Sequence, residues 1–204
     1  MGTTALVLVT PSAGVIPWGA TVALTVQVGP TGGSRTVNLQ ASRDHSTWST
    51  IAALTTNAAG LASLPYTPAS NLWYRAVFAG AANLGAATSP VVRVVVRQLN
   101  LLRPLPASPA RTIVHGTTIT FTSTIRPNRP ELPQGVAHFV VYQFGPFGWT
   151  KVLDRLVPVN RANGVASFAI TFNSLGRFYV RSEAAPTPYN ANSGWSSVVR
   201  YDVT

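Results

Sequence analysis

Cysteine is absent from all 204 residues, so the chain has no disulfide framework, no thiolate zinc site and no cysteine nucleophile. Charge is nearly as scarce. Only 10% of residues are Asp, Glu, Lys or Arg, against roughly a quarter in an average domain. With 46% hydrophobic residues, that excludes the high-charge, low-hydrophobicity regime of disordered chains. The acids number five, Asp44, Glu131, Asp154, Glu183 and Asp202, and they offer neither paired carboxylates for glycoside hydrolysis nor an acidic calcium loop. The three histidines, His45, His115 and His138, lack the spacing of zinc ligands. None stands in a recognisable nucleophile–base–acid arrangement, and no glycine-rich phosphate loop is present. The reading is a non-enzyme without cofactor or metal.

Long apolar runs are missing too: no window of 18 residues is apolar throughout, so no helix is expected to span a membrane. The opening residues from Met1 to Thr10 have no basic segment and no small-residue cleavage site, and read as a first strand over Thr3–Thr10 rather than a signal peptide. Nor does any stretch sustain the 3.6-residue period of an amphipathic helix.

What is present is repetition. Gly19-Ala-Thr-Val-Ala-Leu-Thr-Val returns as Gly116-Thr-Thr-Ile-Thr-Phe-Thr-Ser, and Trp48-Ser-Thr-Ile as Trp149-Thr-Lys-Val. Asn57-Ala-Ala-Gly60-Leu-Ala-Ser-Leu returns as Asn160-Arg-Ala-Asn-Gly164-Val-Ala-Ser-Phe. Leu72-Trp-Tyr-Arg-Ala matches Phe178-Tyr-Val-Arg-Ser, and Val91-Val-Arg-Val matches Val198-Val-Arg-Tyr. The order is kept while the spacing between copies widens slowly, as small loop insertions in the second copy would cause. Inside each copy the period is two, as in Thr21-Val-Ala-Leu-Thr-Val and Val165-Ala-Ser-Phe-Ala-Ile-Thr-Phe, the pattern of strands with one buried and one wet face. Glycine and asparagine turns interrupt these runs. The expected fold is all-β: two tandem immunoglobulin-like antiparallel sandwiches over residues 1–97 and 98–204. The short junction Val96-Arg-Gln-Leu-Asn100 carries no Gly/Ser tract, which favours a semi-rigid rod.

The segments Arg43-Asp-His-Ser-Thr-Trp48, Leu54-Thr-Thr-Asn-Ala-Ala-Gly60, Tyr74-Arg-Ala-Val-Phe-Ala-Gly80 and Ser89 resemble the bacterial Ig-like repeats of large exported cell-surface proteins. The resemblance covers nearly all of the first copy. The second copy departs from it, placing Gln143-Phe-Gly-Pro-Phe-Gly148 where the hairpin is otherwise polar and Ala185 at the late glycine. The resemblance implies a sandwich fold and an extracellular or cell-surface setting, and no particular ligand.

The net charge of +10 favours anionic partners. All the basic residues except Lys151 are arginines, and they stand singly, as at Arg35, Arg75, Arg93, Arg126, Arg155, Arg181 and Arg200. Such scattering fits solvated strand faces better than the basic–aromatic groove of a nucleic-acid binder, so no specific nucleic acid is expected.

Trp48 and Trp149, at matching places in the two copies, are expected inside the sandwiches, as are Tyr74 and Tyr179. Phe144 and Phe147 lie in a Gly/Pro hairpin, where an apolar tip marks a contact site; Trp18 and Trp195, each beside glycine, are weaker candidates. Leu6, Val7, Leu8 and Val9 form a strand apolar on both faces and almost without charged gatekeepers, a candidate for pairing with a neighbouring subunit. The simpler alternative is that Ala5–Val9 crosses between the two sheets of its own domain. These features point first to a structural stalk or filament subunit, a homopolymer joined head to tail. The alternatives are an adhesin or glycan-binding module with a cell-surface partner, and a virion or phage-tail decoration protein.

Overall fold

A computed structural model describes residues 4–106, 109–128 and 135–204. Thr3, at the start of the expected first strand, and Glu131 lie outside the described residues. The chain divides into two compact units, Met1–Val96 and Arg97–Thr204.

The first unit contains β1 (Leu6–Pro11), β2 (Val15–Pro17), β3 (Val22–Gly29), β4 (Thr36–Ser42), β5 (Ser49–Thr55), β6 (Leu61–Tyr66), β7 (Leu72–Phe78), the short β8 (Ala87–Thr88) and β9 (Val92–Arg97). One sheet runs β1-β3-β6 and the other β2-β9-β7-β4-β5, with β8 beside β7. The second unit contains β10 (Leu99–Arg103), β11 (Arg111–Ile113), β12 (Thr118–Arg126), β13 (Val136–Gly145), β14 (Gly148–Pro158), β15 (Val165–Thr171), β16 (Gly176–Ala184) and β17 (Val199–Val203). Its sheets run β10-β12-β15 and β11-β17-β16-β13-β14. Strand for strand the two orders are the same, an immunoglobulin-like sandwich in each unit. No helix occurs among the described residues.

The repeat is visible in local devices as well as in strand order. Gly60 and Gly164 adopt φ of 75° and 71°, and each accepts a 2.8 Å hydrogen bond from a strand amide, Val28 N–H and Ile125 N–H respectively. Left-handed backbone of this kind suits glycine, which has no Cβ. Ser89 and Ser196 share a second device. The hydroxyl of Ser89 accepts from Ala76 N–H at 2.9 Å and donates to Pro90 O, while that of Ser196 accepts from Ser182 N–H at 3.0 Å and donates to Ser197 O. In each copy a serine side chain extends the ladder along one strand where backbone pairing stops.

Alternation drives the burial. Val22, Leu24, Val26 and Val28 of β3 face Val37, Leu39, Tyr74 and Val94 across the first sandwich. In the second, Phe121, Phe139, Phe172, Val180 and Tyr201 fill the centre.

The structure corrects several expectations. Val7 and Val9 are buried in their own unit's core, because β1 pairs antiparallel with β3 from Leu6–Gly29 to Pro11–Leu24. Strict alternation along β1 then turns Leu6 and Leu8 outward, 60% and 36% exposed. Ala5–Val9 does not cross between sheets either. The switch comes in the segment between β1 and β2.

Of the four aromatics expected inside, only Tyr74 is in the core. Parity explains Tyr179: Phe178 and Val180 point inward, so Tyr179 points out. Its counterpart in the first unit is Trp73. Trp48 and Trp149 lie on the outer face of their sheets, Trp149 being 38% exposed. They are not register equivalents. Leu39 pairs with Ala76, and Phe139 with the matching residue Ser182. The bulge follows Leu39 directly in β4 but falls after Val141 in β13, so the longer β13–β14 hairpin carries Trp149 further toward its tip.

Candidate contact surface

At one end of the second unit three loops gather. The β13–β14 hairpin turns through Gly145-Pro146-Phe147-Gly148, where proline presets its own φ and Gly148 takes φ of 94°. Nothing folds Phe147 back, and it is 100% exposed. Phe144 is 48% exposed and rests against Trp149, ring centroids 5.1 Å apart. Gln143 Nε2 donates to Leu175 O at 3.1 Å, which brings the β15–β16 loop alongside. His115 Nε2 and Asn173 O lie 2.9 Å apart, which adds the loop carrying Val114. Leu175 and Val114 are 64% and 69% exposed. Single exposed apolar residues are ordinary, but several large ones at one end of a domain make that end the candidate contact surface.

The outer faces of the two larger sheets carry a second feature, a layer of alternating aromatic and arginine side chains. In the first unit the Arg75 guanidinium lies 4.3 Å from the Trp48 ring and Arg93 lies 4.8 Å from Trp73, with His45 packed against both tryptophans. In the second, Trp149 stacks on Tyr179 at 3.6 Å and Arg200 lies 5.2 Å from Tyr179. Arg181 contacts Tyr142 and Trp195 at 5.3 and 4.3 Å. Beside it is an open recess of about 230 Å³ lined by Tyr142, Trp149, Tyr179, Arg181 and Val198. Because Trp48 is a surface ring held by a cation, its loss is mild. Trp48→Ala is expected to cost about 1 kcal/mol in urea denaturation, well short of the roughly 3–5 kcal/mol of a core tryptophan.

No family model matches the sequence. No curated protein matches it either. The solved structures that match include the native conformation of Escherichia coli alpha-2-macroglobulin, determined by cryo-EM, at 9% identity and a TM-score of 0.40. That match covers 98% of this chain and 17% of the macroglobulin chain.

The candidate contact residues are distributed as follows. Phe144 and Phe147 come together at the exposed end. Trp195 is 40% exposed and is engaged by Arg181 and by His138, the latter at 5.1 Å. Trp18 packs against its own unit's core, and so does not offer a free contact ring. Leu6 and Leu8 lie on the other sheet of the first unit, remote in sequence from Phe144 and Phe147.

Sequence reasoning missed Trp73, Arg75, Tyr142, Arg181 and Leu175. The available signal was parity: in Leu72-Trp-Tyr-Arg-Ala and Phe178-Tyr-Val-Arg-Ser, the aromatic and the arginine outside the core positions share one face.

The described acids make local contacts. Asp44 accepts from the amides of Thr47 at 2.7 Å and Ser46 at 2.9 Å and from the Ser42 hydroxyl. These bonds hold its carboxyl well below the usual carboxylate range. His138 Nε2 meets Asp154 Oδ1 at 2.5 Å, and Nδ1 lies 3.5 Å from Glu183. Asp154 also takes Lys151 Nζ at 2.6 Å; that bond and the one to His138 lower its pKa, and the same pairing raises that of Lys151. The histidine–carboxylate contact lies on a strand face, and no serine hydroxyl is bonded to it among the described residues. No group of three or more His, Cys, Asp or Glu side chains is placed to hold a metal ion among the described residues.

Proposed function

We propose that the chain is a non-catalytic structural module of an extracellular or cell-surface assembly, whose copies associate head to tail. The observation that carries this reading is the apolar end of the second unit, with Phe147 fully exposed beside Phe144 and Leu175. The outward Leu6 and Leu8 of β1 supply a second, distinct apolar surface. Contact between two different patches on successive copies is heterologous, and it builds an open filament unless the rotation between copies closes a ring. Leu6 and Leu8 offer the neighbour side chains, and β1, at the edge of the β1-β3-β6 sheet, also offers it the backbone edge away from β3. The resemblance to exported Ig-like repeats supports the setting.

Light scattering against concentration tests this directly. The native chain should gain mass as concentration rises, whereas Phe144→Ser/Phe147→Ser and Leu6→Ser/Leu8→Ser should each stay monomeric with unchanged melting. A native chain that remains monomeric at the highest soluble concentration would rule out the head-to-tail reading. A second reading, an adhesive or glycan-binding module, is favoured by the recess at Arg181.

A further inference from the structure

Arg181 is unusually placed for an exposed sheet face. Two rings, Tyr142 and Trp195, pack against its guanidinium, so the side chain has already given up much of its rotamer freedom. Its counterpart Arg75 is satisfied: Nε donates to Gln40 Oε1 at 2.8 Å, and Gln40 is its register partner on β4. The register partner of Arg181 on β13 is Val140. A valine accepts nothing, and Arg181 Nε is left buried without a partner. Nη2 donates to Tyr142 Oη at 3.2 Å. The nearby acids are occupied elsewhere, Glu183 facing His138 and Asp154 held between His138 and Lys151. No carboxylate pairs with Arg181 among the described residues.

The charge therefore stands uncompensated on the wall of the recess of about 230 Å³, which is smaller than the roughly 300–1,000 Å³ typical of drug-sized ligands. A planar, immobilised guanidinium is suited to a carboxylate. The remaining walls, Tyr142, Trp149, Tyr179 and Val198, are aromatic or aliphatic and suit the C–H faces of a small ring. A free inorganic anion would leave those walls unused.

We infer that this recess binds the carboxylate-bearing ring of an acidic saccharide, with Arg181 holding the carboxylate and the surrounding rings holding the sugar. The inference rests on the binding reading of the outer face; Trp149 of the recess also supports Phe144 of the apolar end, but neither Phe147 nor Leu175 lines the recess.

The test is titration calorimetry of the full chain with tri-galacturonate, and with a neutral trisaccharide as control. Tri-galacturonate should bind at least tenfold more tightly than the neutral sugar. Arg181→Lys keeps the charge and loses the fork, and should weaken binding about tenfold. Val198→Phe fills the recess at a half-buried position and should abolish binding while the melting temperature holds. Arg161→Gln removes an equal charge from an exposed turn and should leave binding unchanged. Equal affinity for the two sugars, no binding of tri-galacturonate, or equal losses in Arg181→Lys and Arg161→Gln would each overturn the inference. Light scattering run on Val198→Phe separates the two readings: head-to-tail association should persist when saccharide binding is gone.

Discussion

Gly60→Ala is expected to destabilise the first unit by about 3 kcal/mol or more, lowering its melting temperature by roughly 15 °C at the 4–8 °C per kcal/mol typical of a domain this size. Two effects combine. Gly60 has φ of 75°, and a Cβ built there would lie 2.3 Å from Val28 O. That oxygen is backbone within β3, and the same pair of residues is joined by the 2.8 Å bond from Val28 N–H to Gly60 O. Relief requires shifting the turn or the strand, so the left-handed penalty and the strain on a ladder hydrogen bond add. Gly19→Ala is the internal control. Gly19 has φ of 85° but nothing within 4 Å of its Cβ position, which leaves only the conformational cost of about 1–2 kcal/mol. Scanning calorimetry of the two variants checks the ordering, and a Gly60→Ala loss no larger than that of Gly19→Ala would refute the close-approach argument.

The second large effect is expected in the core of the second unit. Asn100 Nδ2 donates to Ser182 O at 2.9 Å and to Ser182 Oγ at 3.0 Å, and the Ser123 hydroxyl donates to Asn100 Oδ1. Ser123 and Ser182 are wholly buried and belong to opposite sheets, so the triad is a polar bridge through the sandwich. Register places Asn100 opposite Ile125 and Val7 opposite Val28. On that register the matching residues of the first unit are Val7, Val26 and Ala76, an apolar set in the same fold.

Asn100→Val alone leaves the two buried hydroxyls only their long 3.4 Å contact with each other and is expected to cost about 2–4 kcal/mol, on the order of one to two unsatisfied groups at roughly 1–3 each. The triple change Asn100→Val, Ser123→Val, Ser182→Ala removes every member at once and should fall within about 1 kcal/mol of the native chain, since an apolar replacement of a whole polar network is often neutral. Denaturant unfolding of the four single and triple variants measures this. A triple variant as unstable as the sum of its single changes would show that the bridge, rather than the filling of the volume, holds the sheets together.

Much of the architecture could be read in advance because it rests on local chemistry. Period-two runs such as Thr21-Val-Ala-Leu-Thr-Val mark half-buried strands whichever partner they find. Asn57-Ala-Ala-Gly60 and Asn160-Arg-Ala-Asn-Gly164 mark turns because the glycine must take positive φ. Repetition in order then required the same fold twice. The exposed Phe147 tip was legible for the same reason: Gly-Pro-Phe-Gly is a turn, and a turn has no interior.

What the sequence determined by itself is which residues alternate, where the chain must turn, and that few groups exist for catalysis. Only the tertiary structure decided which face of each strand became the inside. A run such as Leu6-Val-Leu-Val is apolar on both faces, so pattern could not separate Val7 and Val9, which enter the core, from Leu6 and Leu8, which stay out. Pairing with β3 made that choice. Tryptophan gave a false lead, because size and hydrophobicity argue for burial while a ring beside an arginine is also stabilised at the surface. Trp48 took the second course beside Arg75, while Trp149 stacks on Tyr179; the position of each is set by strand parity and by a bulge after Leu39 in one unit and after Val141 in the other. The uncompensated charge of Arg181 is likewise a tertiary fact. It depends on Val140 standing across from Arg181 where Gln40 stands across from Arg75, a pairing between strands far apart in the chain.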